Sequence, residues 1–140
     1  MKINIFISLM LLLVLGVFII IPDNGIGNGS FVSGPSGHIP KSAKNIEWYS
    51  PAFGPMNIVK FNIDEARFRE WAIEWKERES DLSEIIKGGV QIFLYDHIEK
   101  KTKRLDFESI YFMSYQKEDR SLTIAYDNKT ETAYYNYLSR

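Results

Sequence analysis

The segment NIVKFNIDEARFREWAIEWKERE, residues 57–79, joins a strand pattern directly to a helix pattern. In its first part, Val59, Phe61 and Ile63 alternate with Ile58, Lys60 and Asn62. This period of two predicts a strand over Asn57–Ile63, because successive side chains of a strand point to opposite faces of the sheet. One face of this strand should contribute to a core.

The second part of the segment predicts a helix over Asp64–Glu79. Asp64 is a good N-cap residue, and acidic side chains in the first turn favour the positive end of the helix dipole. Apolar residues recur in this stretch at intervals of three and four, which gives one stripe: Phe68, Trp71, Ala72 and Trp75. Such a stripe indicates a helix that packs one face against another layer.

Further strand patterns flank this unit on both sides. They lie at residues 46–50, Val90–Tyr95, Ser109–Tyr115, Ser121–Asp127 and Glu131–Leu138. Short polar turns at Lys117–Arg120 and Asn128–Lys129 favour antiparallel pairing, so we expect a β-meander in the C-terminal third. The predicted fold class is α+β, with one main helix packed on an antiparallel sheet of four to six strands.

The regions between these patterns are predicted to be irregular. Asp81–Lys87 reads as a short helical or irregular piece, and Gly88-Gly89 as a break before the next strand. The basic cluster Lys100–Arg104 is interpreted as a solvated hairpin loop, with attraction to a bilayer or an anionic wall polymer as the alternative.

The N-terminus carries the apolar run INIFISLMLLLVLGVFIII, residues 3–21. A helix of nineteen residues spans roughly 28 Å, close to the hydrocarbon thickness of a bilayer. We predict a transmembrane signal-anchor over residues 1–21, with a cleaved signal peptide as the alternative. Since Lys2 precedes the run and the next cation is Lys41, the N-terminus should stay inside and the remaining chain outside; the chain would be secreted if the segment is cleaved.

The amino-acid composition limits the domain organisation and the functions that are possible for residues 22–140. Residues 22–45 are rich in Gly and Pro and predict a flexible tether, followed by a small domain over residues 46–140. The chain has no cysteine, which excludes disulfides, thiolate metal ligands and a cysteine nucleophile. Its net charge of −1 shows no basic excess, so a nucleic-acid partner is not expected.

Catalytic and metal-binding interpretations find little support in the residue patterns. Glu70, Glu74 and Glu77 are spaced as paired carboxylates, but interleaved Arg and Lys favour surface ion pairs such as Glu65–Arg69. The only two histidines, His38 and His97, are far apart, so no metal site and no cofactor are predicted.

The tyrosines are the candidate partner-binding residues. Alternation places Tyr135 and Tyr137 on one sheet face and Tyr134 on the other, so one set should pack under the helix while the other is open. An open tyrosine face would recognise an envelope protein or a glycan, whereas the alternative is a fully packed sheet. The candidate set is Tyr111, Tyr115, Tyr134, Tyr135 and Tyr137.

Three parts of the chain together resemble a loose group of small, exported or membrane-anchored bacterial proteins to which no activity is assigned. They are residues 38–43 (HIPKSA), the helix with Phe68, Trp71 and Ala72, and the aromatic ending from Tyr126-Asp127 to Arg140. The resemblance implies only that the tether motif and the C-terminal strand belong to one folded unit.

These observations favour a non-enzymatic, membrane-tethered extracytoplasmic domain that binds a partner. The bilayer would be contacted through residues 3–21, and the partner would be an envelope protein or a glycan. Two alternatives remain open at this point: an immunity or inhibitor protein of the envelope, and a small hydrolase-like enzyme.

Overall fold

The computed structural model describes residues 24–27, 39–51, 54 and 56–139. The apolar run at residues 3–21, predicted as a membrane anchor, lies outside this part of the chain. Within the described ranges, no helix has both the length and the apolar character needed to cross a bilayer. The division into anchor, tether and domain therefore stays a prediction.

The described chain contains seven strands and one helix. In chain order they are β1 (Asn24–Gly27), β2 (Lys44–Tyr49), β3 (Met56–Asn62), α1 (Glu65–Arg78), β4 (Ile86–Asp96), β5 (Lys101–Gln116), β6 (Arg120–Asp127) and β7 (Thr132–Ser139). All neighbouring strands are antiparallel, and the order across the sheet is β1-β2-β3-β7-β6-β5-β4. The predicted α+β class with one helix on an antiparallel sheet is confirmed, and the meander β4-β5-β6-β7 ends the chain.

Helix α1 begins and ends close to the predicted positions. The Asp64 carboxylate caps its first turn by accepting from the Arg67 backbone N–H at 3.0 Å. At the other end, the Glu79 N–H donates to the Trp75 carbonyl at 2.8 Å. The first backbone N–H groups of a helix have no acceptor within the helix, and the Asp64 side chain supplies one for Arg67. Only two residues therefore separate the start of the helix from the end of β3.

The predicted apolar stripe of α1 is buried against one face of the sheet. Trp71 meets Phe61 of β3 edge-on, with ring centroids 5.2 Å apart, and Phe68 stacks on Tyr126 of β6 at 4.7 Å. We call this side of the sheet, with α1 and the residues packed on it, the helix face. Its packing confirms the strand alternation predicted for β3, because Val59, Phe61 and Ile63 all belong to this core.

The hairpin β4-β5 bends across the opposite face of the sheet. β5 pairs with β6 only from Tyr111 to Gln116, and its earlier residues pair with β4 alone among the described strands. The register shifts between Gly88 and Val90, and such a bulge locally bends a strand. The bent part of the hairpin covers a second, smaller core made of Ile92, Ile110, Ala125 and Tyr134. We call this side the hairpin face.

Several sequence predictions about this region are corrected by the structure. Gly88-Gly89 lies inside β4 and does not end a strand, and Lys101–Arg104 forms the start of β5, so the basic cluster is mostly strand and not loop. The sheet also has one strand more than the predicted maximum of six. The additional strand is β1, which falls in the segment predicted as tether and whose two glycines hide its strand character.

Candidate functional site

The curved hairpin is held to the sheet by a polar clamp. Asn136 of β7 is only 3% exposed and points to the hairpin face. Its Nδ2 donates to the Phe93 carbonyl at 3.0 Å, and its Oδ1 accepts from the Phe93 N–H. Because β4 is the last strand of the sheet, these two bonds satisfy backbone groups that an open edge would leave without partners.

A second contact extends this attachment toward the end of the hairpin. The rings of Tyr49 on β2 and Tyr95 on β4 stack in parallel, with centroids 4.2 Å apart and an interplanar angle of 3°. Farther along, the Thr102 hydroxyl lies 3.7 Å from the sulfur of Met56, the first residue of β3. The hairpin thus crosses the sheet and ends over β2 and β3.

A cleft of about 350 Å³ lies between β2 and the end of this hairpin. We call it the hairpin cleft. Its apolar walls come from aliphatic side chains of the hairpin, including Leu94 and Leu105, and its polar atoms come from both sides. The lining residues are Glu47, Leu94, Tyr95, Asp96, His97, Ile98, Lys103 and Leu105.

The turn beside the cleft has a defined conformation. Asp96 accepts through Oδ1 from the N–H groups of Ile98 and Glu99, at 2.9 and 2.8 Å. Its other oxygen accepts from Lys103 Nζ at 2.5 Å. The hydrogen bond from Lys103, followed by that from the Glu99 N–H, lowers the pKa of Asp96 to about 2. Asp96 is therefore ionised at neutral pH and shapes the turn.

The remaining polar groups of the cleft are also paired, with one exception. Glu47 accepts from Lys60 Nζ at 2.9 Å. The His97 ring meets Tyr95 edge-on, with centroids 5.1 Å apart, and its buried Nε2 has no hydrogen-bond partner among the described residues. Within the same residues, no group of three or more His, Asp or Glu side chains is placed to hold a metal ion. The cleft accordingly offers mainly apolar contact.

The predicted partner-binding tyrosines are distributed differently from the expected open face. Tyr115, Tyr134 and Tyr135 are buried, whereas Tyr111 and Tyr137 are partly buried. Burial raises the pKa of Tyr134 to about 12 and also raises that of Tyr135. The predicted alternation is confirmed, because Tyr135 and Tyr137 pack on the helix face and Tyr134 on the hairpin face. Direct contact with a partner stays a prediction only for Tyr111 and Tyr137.

Tyr111 lies under two cations. The Arg69 guanidinium carbon is 4.9 Å from its ring centroid, and the Lys87 ammonium is 5.6 Å away. Arg69 also pairs with Glu65 at 2.7 Å, as the helix spacing predicted. These contacts cover part of the tyrosine ring, so the hairpin cleft is the better candidate for a binding site.

No local sequence pattern indicates the hairpin cleft. Asn136 and Phe93 are 43 positions apart, and no local pattern relates them. One signal was present: Ile98 is the only aliphatic residue in the polar stretch DHIEKKTKR, residues 96–104. An isolated apolar residue in a charged turn is a reason to look for a contact surface.

The fold and the hairpin cleft define a small, mostly β domain of the α+β class with an apolar cleft beside a hydrogen-bonded turn. Comparison of the chain with protein-family models, with curated proteins and with solved structures gives no match. The function must therefore be argued from the geometry and from the sequence.

Proposed function

We propose that the protein is a membrane-tethered, extracytoplasmic binding domain whose partner site is the hairpin cleft. The apolar run at residues 3–21 supports the tether, and the cleft supports the binding role. The observation that carries the proposal is a cleft with aliphatic walls and with ion-paired carboxylates at its rim. Apolar centres with polar rims are typical of recognition sites.

The charges of the cleft favour binding over acid–base catalysis. A general acid that works near neutral pH needs a raised carboxyl pKa, and the pKa of Asp96 is lowered to about 2 by its contacts with Lys103 and the Glu99 N–H. Glu47 is engaged by Lys60. The hydrolase-like alternative therefore finds no support in these two carboxylates.

The walls of the cleft favour a protein partner over a glycan. Leu94 and Leu105 present branched aliphatic surface, which suits an apolar side chain inserted by a partner protein. The tyrosine ring among the lining residues, Tyr95, is stacked on Tyr49 and so has one face occupied. An envelope protein that inserts one apolar side chain is the occupant that we propose, and an immunity or inhibitor protein is one form of such a binder.

Site-specific photo-crosslinking of the full chain in its native membrane tests this function. A benzophenone amino acid replaces Leu105, which is 38% exposed in the cleft, or Ile86, which is 51% exposed at the start of β4. We expect one adduct of defined mass from position 105 and none from position 86. In the same chain, Leu94→Ala should reduce the adduct, because it removes one wall of the cleft.

Two outcomes would contradict the proposal. The cleft is not the partner site if both positions give the same adducts, or if Leu94→Ala leaves the adduct at position 105 unchanged. A reporter enzyme fused after Arg140 tests the orientation separately, and activity confined to the cytoplasm would show that the proposed topology is inverted.

A further inference from the structure

The first strand fixes which part of the domain lies near the predicted anchor. Asn24, the first residue of β1, pairs with Tyr49 of β2. Only Pro22 and Asp23 separate Asn24 from the end of the apolar run at Ile21. Because an extended chain spans at most about 3.5 Å per residue, Asn24 lies within about 10 Å of the end of this run. With the proposed anchor at residues 3–21, the edge of the sheet formed by β1 and β2 is held within this distance of the bilayer.

The end of the β4-β5 hairpin lies beside this same edge. We call residues 96–101 the hairpin tip. Tyr95, which directly precedes the tip, stacks on Tyr49 at 4.2 Å, and Tyr49 is the residue paired with Asn24. His97 and Glu47 line one cleft, and Glu47 pairs with Ile26 of β1. The hairpin tip thus ends over β2, next to the strand that emerges from the predicted anchor.

The exposed surface of the hairpin tip combines one apolar side chain with nearby cations. Ile98 is 92% exposed, more than Leu105 of the same hairpin at 38%. The Asp96 carboxylate holds the backbone of Ile98 by accepting a hydrogen bond from its N–H. Residues 96–106 carry four cations and three carboxylates: Lys100, Lys101, Lys103 and Arg104 with Asp96, Glu99 and Asp106. Three of these cations form ion pairs within the hairpin. Among the described residues, Lys100 forms no ion pair.

We propose that the hairpin tip docks on the bilayer that holds the anchor, with Ile98 inserted at the interface and the neighbouring cations facing anionic headgroups. This inference rests on the proposed membrane tether and gives it an orientation. An apolar side chain flanked by Lys and Arg has the chemistry of an interfacial contact, in which hydrophobic insertion and attraction to anionic lipid act together. The short connection to the anchor favours the bilayer as the occupant, because it keeps the tip close to this surface.

The test uses the full chain in vesicles, and the lack of cysteine makes single-site labelling direct. Ile98→Cys carries an environment-sensitive fluorophore, and Ile86→Cys is the matched control, since it is an exposed isoleucine at the other end of β4. The vesicles contain either phosphatidylcholine with phosphatidylglycerol or phosphatidylcholine alone, each with and without a lipid that carries a spin label near the headgroup.

The expected result is a blue-shifted emission at position 98 and, for an interfacial depth of ~5–10 Å, a roughly twofold loss of fluorescence with the spin-labelled lipid. Position 86 should show neither change. The quenching at position 98 should decrease in vesicles of phosphatidylcholine alone and after Lys100→Glu, because both remove electrostatic attraction.

The outcomes separate this inference from the proposed function. If the chain floats with the vesicles but position 98 behaves like position 86, the tether stands and the docking of the tip is wrong. If the chain does not float with the vesicles, both are wrong. A blue shift at position 98 without quenching by the spin-labelled lipid would mean that a second copy of the chain covers the tip, and this also overturns the inference.

Discussion

The two faces of the sheet are covered in different ways. The helix face buries a continuous core of eighteen residues, in which α1 packs aromatic rings on β3, β6 and β7. Among the described residues, the hairpin face buries a cluster of only four, with partly buried side chains such as Leu94 and Phe107 packed against it. Asn136 and the Tyr49–Tyr95 stack attach the hairpin further. The first face holds the fold together, and the second carries the cleft and the hairpin tip.

This difference indicates where the molecule opens most readily. Regions with few buried apolar contacts have the lowest local free energy of opening, and binding segments often come from such regions. We therefore expect the end of the β4-β5 hairpin to detach while the helix face stays folded. Substitutions on the two faces should then differ in how much they reduce the free energy of unfolding and in how much of the domain they affect.

The largest effect is expected from Trp71→Ala on the helix face. Trp71 is buried and contacts Phe61, Phe68 and Trp75, so its loss should reduce the free energy of unfolding by about 3–5 kcal/mol. Urea unfolding followed by circular dichroism measures this. Ile73→Ala, at a 57% exposed position two residues away, is the control and should change stability by about 0.5 kcal/mol or less. Equal losses of unfolding free energy in both variants would show that the buried core of the helix face does not dominate stability.

A smaller, local effect is expected from Asn136→Ala on the hairpin face. The substitution leaves the Phe93 N–H and carbonyl without their side-chain partners, at a cost of about 1–3 kcal/mol. Hydrogen exchange should accelerate for residues 92–96 and stay unchanged in α1. Thr123→Ala removes the neighbour of Asn136 on β6 and is the control. Faster exchange throughout the domain would show that the two faces unfold together.

Removal of the stacked ring pair should have a weaker effect at the same place. Tyr49→Leu keeps an apolar side chain on β2 but loses the stacking on Tyr95, which is worth about 0.5–1.5 kcal/mol beyond the buried area. The NMR signals of Tyr95 and His97 should shift, and those of Trp71 should not. Unchanged signals at Tyr95 would argue that the stack does not fix the hairpin.

The smallest effect is a change of the hairpin tip in acid. Since the pKa of Asp96 falls from an ordinary value near 3.8 to about 2 on folding, its contribution to stability is complete above about pH 4. It is lost as the pH falls through about 2. As the pH falls through about 2, we expect the amide signals of Ile98 and Glu99 to shift while the signal of the buried Trp71 indole does not. Asp96→Asn should remove this pH dependence, and its persistence in the variant would assign the titration to another group.

The sequence predicted the helix face much better than the hairpin face. The cap at Asp64 and the apolar stripe of α1 are local patterns, and the burial of Trp71 and Phe68 follows from their spacing alone. The clamp between Asn136 and Phe93 joins distant positions and depends on the bend of β4, which no spacing encodes. The basic residues of β5 are predicted as a loop because a run of charged side chains hides the strand pattern, although Thr102 and Lys103 are half-buried.

The clamp at Asn136 also has a consequence for self-association of the chain. An unpaired edge strand is a template for pairing with another copy of the chain. Asn136 occupies backbone groups of β4 at Phe93, and the curvature of the hairpin turns that edge onto its own sheet. The opposite edge is β1, which has only four residues. We therefore expect Asn136→Ala to make pairing between copies of the chain easier at the β4 edge.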